Sequence, residues 1–181
     1  MTHQNNSQSS IPKVIVIFPA KNEEGTIESS IATAKQSYYR PDIMLVDGYS
    51  TDKTALLAER AGAIVIQQLT KTFPAKGLTM KAGLREAFER SADIIVFLDA
   101  DISNLTPGWV DKLVKALIED NCDMSRGFYT RHARDAAVTK LIARPMLHTF
   151  FPEIAHIEEP LSGEVCARKY VWESLCILCK G

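Results

Sequence analysis

The sequence predicts an α/β fold, a mostly parallel sheet flanked by helices. Three observations predict it. Short apolar, β-branched runs recur along the chain. Segments with helical apolar spacing separate them. The runs are apolar throughout rather than alternating, as strands buried on both faces must be.

The elements follow in order. KVIVIF (13–18) is the first strand, and 24–36 is a helix with Ile27, Ile31 and Ala34 on one face. DIMLVD (42–47) is the second strand. A helix over 50–62 has Ser50 or Thr51 as N-cap, Asp52 in its first turn and Gly62 as its stop. AIVIQ (63–67) is the third strand, followed by a long loop, 68–77. A helix over 77–90 turns Leu78, Ala82 and Leu84 to Phe88 toward the core. DIIVFLD (93–99) is the fourth strand. Pro107 opens a helix whose buried face is Trp109, Leu113, Ala116 and Leu117. CDMSRGFY (122–129) is a fifth strand, and 138–150 is helical, with Pro145 kinking or ending it.

Bulk properties exclude several classes. The net charge of −1 gives no basic field for nucleic acid or an anionic membrane. No apolar run approaches the roughly 20 residues that span a bilayer, and the N-terminus lacks the apolar stretch of a signal peptide. The expectation is a polar, disordered tail over 1–12, one domain over 13–181, and a cytoplasmic location. Cys122, Cys166, Cys176 and Cys179 lack a second C-x-x-C or suitably spaced histidines, so they read as free thiols rather than zinc ligands.

In open α/β sheets, ligands bind beyond the carboxyl ends of the strands. The segments there are PAKNEE (19–24), DGYSTD (47–52), the 68–77 loop and DADIS (99–103). Asp99 and Asp101, one residue apart, point the same way if the strand continues through them. Two carboxylates that close repel unless protonated or bridged, and Mg²⁺ or Mn²⁺ bridges them. The alternative is a polar strand end with Asp101 capping a turn. Asp47 and Gly48 form a strand–turn–helix connection and offer an acceptor for a base or ribose. PAKNEE has no glycine array, so it is neither a dinucleotide loop nor a Walker loop; it offers backbone groups to a base and Glu23 to a ribose hydroxyl. Lys71, Lys76 and Lys81 are either solvated or balance a diphosphate. Glu164 hangs on a loop shaped by Pro160 and Gly163, exposed or orienting a sugar hydroxyl.

VIVIFPAKNEE, DGYSTDKT and FLDAD together resemble the N-terminal half of a GT-A (Rossmann-like) glycosyltransferase. VTKLIARPML (138–147), FFPE (150–153) and EPLSGE (159–164) narrow the resemblance to retaining glucosyl-3-phosphoglycerate synthases and their mannosyl relatives. The first three motifs are widely shared; the A-R-P-x-L of 143–147 and the P-L-S-G-E of 160–164 are much more specific. The resemblance implies that Pro19, Ala20, Lys21, Glu23, Asp47 and Gly48 hold the base and ribose. Lys76, Asp99 and Ala100 then lie at the diphosphate and sugar. Asp101 is the direct metal ligand with Asp99 beside it, and Glu164 holds the donor sugar. Thr139 contacts an acceptor phosphate. Two residues before it, where phosphoglycerate users resemble an arginine, stands Ala137; Arg134, Arg131 and Lys140 are the nearby cations. The resemblance also implies a homodimer and a further C-terminal segment carrying a metal-binding histidine, relative to which this chain is short.

The expected activity is metal-dependent, retaining transfer of a hexose from a UDP- or GDP-hexose to a small hydroxy-acid or phosphorylated acceptor. The catalytic set is Glu164, Lys76 and Asp101, and Thr139 and Arg134 hold the acceptor. One competing reading is a nucleotide-sugar binding module with little catalysis. Another is an inverting enzyme using a polyprenyl-phosphate acceptor, with Glu164 or Glu159 as base. A D-x-D phosphatase is disfavoured because its motif ends the first strand, and a nucleotidyltransferase because it wants a glycine-rich loop there.

Overall fold

The structure, a computed structural model, describes residues 11–71, 75–102, 104–128 and 137–178. Its strands are β1 (Val14–Ala20), β2 (Asp42–Asp47), β3 (Ile64–Gln67), β4 (Ile94–Phe97), β5 (Met124–Arg126) and β6 (Val165–Arg168). They form one sheet in the order β3-β2-β1-β4-β6-β5. The first four are parallel; β6 pairs antiparallel with β4 and with β5.

Alternation along β1 supplies both faces of the sheet. Val14, Val16, Phe18 and Ala20 pack with Ile27, Ile31 and Ala34 of α1 (Ile27–Ala34), Ala58 of α2 (Thr54–Arg60) and Val110, Leu113 and Leu117 of α4 (Pro107–Glu119). Ile15 and Ile17 pack with Ala82, Leu84 and Ala87 of α3 (Ala75–Glu89) and Trp172 of α6 (Lys169–Leu178). Each large aliphatic side chain buried this way stabilises the fold by about 1.5–3 kcal/mol. Gly83 lets α3 lie close to the sheet: a Cβ there would sit 2.9 Å from Ile17 Cγ2 and 3.1 Å from Val46 Cγ2. Trp172 fixes α6 by donating from Nε1 to the Ile95 carbonyl (3.2 Å) and meeting Phe97 edge-on, centroids 5.2 Å apart.

Several expectations change. The fourth strand ends at Phe97, so Asp99 and Asp101 stand in a turn and strand alternation does not orient them. Helix α2 starts at Thr54; Asp52 accepts the Thr54 N–H (2.9 Å), while Ser50 and Thr51 bond across to the 19–24 loop instead of capping. On α4, Trp109 and Ala116 are half-buried, and Val110 and Val114 take their places in the core. Pro145 does not end the helical segment. The chain winds as a π-helix over Thr139–Ala143 and continues as α5 (Arg144–Phe150) with Pro145 in its first turn. A proline cannot donate to the carbonyl four residues back and crowds it, and the wider winding just before relieves that conflict. Strand β6 and helix α6 are unanticipated: VCAR is too short and mixed to declare itself.

Candidate active site

The strand order reverses direction of growth at β1, between β2 and β4, and ligand crevices of open α/β sheets open there. A cleft of about 300 Å³ occupies this position, lined by Pro19, Ala20, Lys21, Glu23, Gly48, Lys76, Thr79, Asp99, Ala100 and Asp101. The structure thus gathers nearly every predicted donor-side residue into one cavity.

Two loops form its wall and brace each other. Asn22, at φ +59°, donates its N–H to Ser50 Oγ and accepts the Thr51 N–H on Oδ1 (2.8 Å). The Glu23 N–H donates to Thr54 Oγ1 (2.7 Å), and the Glu24 N–H to Asp52 Oδ2 (3.1 Å). Gly48 donates its N–H to the Ala20 carbonyl (2.8 Å), and a Cβ at Gly48 would press within 3.1 Å of that oxygen. Asp47 lies behind the wall rather than on it. It is buried, accepting the Ser50 N–H (3.1 Å) and the Gln67 side-chain amide (3.2 Å). In this structure Asp47 shapes the turn that presents Gly48.

The acids face Lys76 across the cleft. Lys76 Nζ donates to Asp99 Oδ1 at 2.6 Å, with Asp99 29% exposed. Ser30, buried on α1, donates to the Ala100 carbonyl (3.3 Å) and ties the Asp99–Asp101 turn to the core. Burial, then the charges of Asp101 and Asp52, raise the Glu23 carboxyl above its usual range; Asp99 adds to this and a Thr26 hydrogen bond opposes it. Lys71 lies over the Tyr49 ring, 4.9 Å from its centroid, and Lys81 is exposed. Among the described residues no three His, Cys, Asp or Glu cluster tightly enough to hold a metal ion by themselves. Two carboxylates with the other positions left to diphosphate and water suit Mg²⁺ or Mn²⁺, and the excess of negative charge felt by Glu23 suits a cation.

Glu164 is buried beside the cleft, accepting the Ser162 hydroxyl on Oε2 (2.5 Å). It borders a second cavity of about 300 Å³, with Trp109, Lys112, Arg126, Gly127 and Phe128. Thr139 is buried at the start of the π-helix and lines neither cavity. Arg134, with Arg131, lies outside the described residues. Glu159 is buried and pairs with Arg144 (3.7 Å), an arrangement that holds the 158–164 loop. Gln68, Thr79, Ser162 and the close approach of Gly163 to Asp99 escape the sequence reading. The one local signal was a threonine on the inward stripe of α3, one turn after Lys76.

Comparison with known proteins places this geometry. The family model described as Glycosyl transferase family 2 matches residues 15–166. Glucosyl-3-phosphoglycerate synthase of Petrotoga mobilis is 32% identical over 181 residues, covering 90% of this chain and 55% of that protein. Mannosylglycerate synthase of Rhodothermus marinus is 29% identical over 172 residues, covering 87% of this chain and 43% of that protein. A crystal structure of glucosyl-3-phosphoglycerate synthase from Mycobacterium tuberculosis with Mg²⁺ and UDP superposes with a TM-score of 0.78 and 34% identity, covering 88% of this chain and 57% of that one. Another, with Mn²⁺, UDP-glucose and phosphoglyceric acid, has a TM-score of 0.76 and 34% identity over 88% and 58% of the two chains. The chain spans about half the length of the curated relatives it matches. The sheet is that of the GT-A fold, and with the family match covering most of its length, the chain belongs to glycosyl transferase family 2.

Proposed function

We propose that this domain binds a nucleoside-diphosphate hexose, UDP-glucose in first place, and transfers the hexose to a small hydroxy-acid or phosphorylated acceptor of the phosphoglycerate type. The carrying observation is the cleft itself: Lys76 faces Asp99 and Asp101 across a cavity walled by the 19–23 backbone and Gly48. Relatives whose structures hold UDP, UDP-glucose, phosphoglycerate and a divalent ion support the choice of ligands.

Asp101, with Asp99 beside it, would hold Mg²⁺ or Mn²⁺, which neutralises charge on the departing diphosphate. Pro19, Ala20 and Lys21 meet the base, and Glu23 the ribose. Lys76 exchanges Asp99 for the diphosphate. Glu164, held by Ser162, orients the hexose between the two cavities. The acceptor hydroxyl forms a bond to the anomeric carbon as the bond to the diphosphate oxygen breaks. With retention, that oxygen takes the hydroxyl proton and no enzyme nucleophile is needed. Thr139 and Arg134 remain the proposed acceptor contacts, a homodimer the proposed assembly, and the cytoplasm the proposed compartment. Among the described residues no helix is long and apolar enough to cross a membrane.

The test is calorimetry with UDP, GDP and their hexose conjugates in Mn²⁺ or Mg²⁺, followed by transfer assays with phosphoglycerate, glycerate and polyprenyl phosphate. Binding of UDP that is lost in Asp101→Ala supports the proposal. No nucleotide binding, or none that depends on Asp101, defeats it. An inverted anomer by NMR would defeat retention alone.

A further inference from the structure

We propose that Gln68 and Thr79 are positioning residues for Lys76, and through it for the diphosphate of a bound nucleotide; this rests on the nucleotide-sugar reading above. Lys76, Thr79 and Gly83 lie three and four residues apart, so they share one stripe of α3. Gly83 sets how closely that stripe approaches the sheet, through Ile17 and Val46. Lys76 sits at its open end, reaching Asp99. Thr79 stands between them, 3% exposed, and its hydroxyl donates to Gln68 Oε1 at 2.5 Å.

Gln68 is itself 2% exposed, just past the end of β3. Its N–H donates to the Asp47 carbonyl (3.0 Å), and its side-chain amide donates to the Thr70 carbonyl (2.5 Å). One side chain therefore ties the exit of β3 to the entry of α3, from either side of residues 72–74. A buried hydroxyl and a buried amide are costly unless bonded, and here each uses the other. Threonine is also a weak helix former. Packing alone would favour an apolar residue at 79.

The first turn of α3 needs such a tether. Lys76 is followed by Gly77, whose added Cβ would meet nothing within 4 Å, so close packing does not explain the glycine. Glycine inside a helix weakens it relative to alanine. Lys76 thus sits on an intrinsically soft turn, and the Thr79–Gln68 bond is the next fixed point along it. Loosening that point by substitution of either side chain leaves in place the Gln68 N–H on the Asp47 carbonyl and the bonds that brace residues 19–24 against 47–54. What moves is the reach of one ammonium group toward the diphosphate.

The test compares UDP with UMP by calorimetry in Mn²⁺, in wild type, Thr79→Val, Thr79→Ser, Gln68→Met and Lys76→Met. Thr79→Val and Gln68→Met are expected to weaken UDP binding about five- to tenfold while UMP binding holds. Thr79→Ser retains wild-type affinity, which keeps the test decisive should the valine variant fold poorly. In the Lys76→Met background, Thr79→Val adds nothing further. Equal weakening of UDP and UMP, or additive effects of the two substitutions, would overturn the positioning role while leaving the donor assignment standing. A wild-type chain that binds neither nucleotide overturns both.

Discussion

The backbone of Gly163 lies against the carboxylate of Asp99: a Cβ at position 163 would fall on Asp99 Oδ2 and within 2.5 Å of Cγ. This contact joins the 158–164 loop to the turn carrying both acids. Glu164, the next residue, lines the second cavity. The glycine at 163 leaves that carboxylate the space it occupies.

Gly163→Ala should therefore turn Asp99 aside and break its pair with Lys76. The pair is partly exposed, so folding stability should fall by less than about 1 kcal/mol. Mn²⁺-dependent UDP binding should fall by about tenfold. Chemical denaturation and calorimetry on the same sample separate the two; equal affinity in variant and wild type would contradict the crowding.

Gly83→Ala tests the opposite situation. The new methyl would meet Ile17 Cγ2 and Val46 Cγ2 inside the core, not a movable carboxylate. Overpacking of this kind costs about 1–3 kcal/mol. Urea unfolding should show the loss, and an unchanged midpoint would mean that α3 shifts freely on the sheet.

Glu23 carries a pH signature. Its folded pKa is raised above 4.5, first by burial and then by Asp101 and Asp52. The folded state thus binds the proton more readily than the unfolded one. Stability from this group is complete below 4.5 and is lost as pH rises through the folded pKa. Glu23→Gln should consequently be more stable than wild type near neutrality, with the gap closing below pH 4.5. Thermal melts across that range decide; a gap that widens on acidification would reverse the sign.

Cys166 is buried on β6, and burial pushes its thiol up to about 12, against a Ser125 hydrogen bond and the Arg168 charge. Thiolate is the reactive form, so Cys166 should resist alkylation at neutral pH while exposed Cys122 reacts. Peptide mapping after brief iodoacetamide treatment checks this, and labelling of Cys166 in folded protein would refute it.

Much of the molecule was legible from local pattern. The apolar runs at 13–18 and 42–47 became β1 and β2 because a strand buried on both faces must be apolar throughout, and 63–67 became β3, the half-buried edge strand. The same alternation of strand and helix brought PAKNEE, Gly48 and DADIS to one sheet edge, where the cleft lies. Asp47 was legible as the residue that ends a strand before a turn, but its burial behind the cleft wall was not. Its buried bonds to Ser50 and Gln67 depend on neighbours three and twenty residues away.

Local periodicity and the order of elements were thus enough to predict an α/β sheet, its principal strands and the edge that carries the acids, because apolar spacing is a property of consecutive residues. Folding in three dimensions settled the rest. The antiparallel insertion of β6 between β4 and β5, the seat of Gly163 against Asp99 and the Thr79–Gln68 tether all join residues distant in the chain. Each exists only where packed elements bring those atoms within contact distance, and no spacing along the sequence encodes that distance.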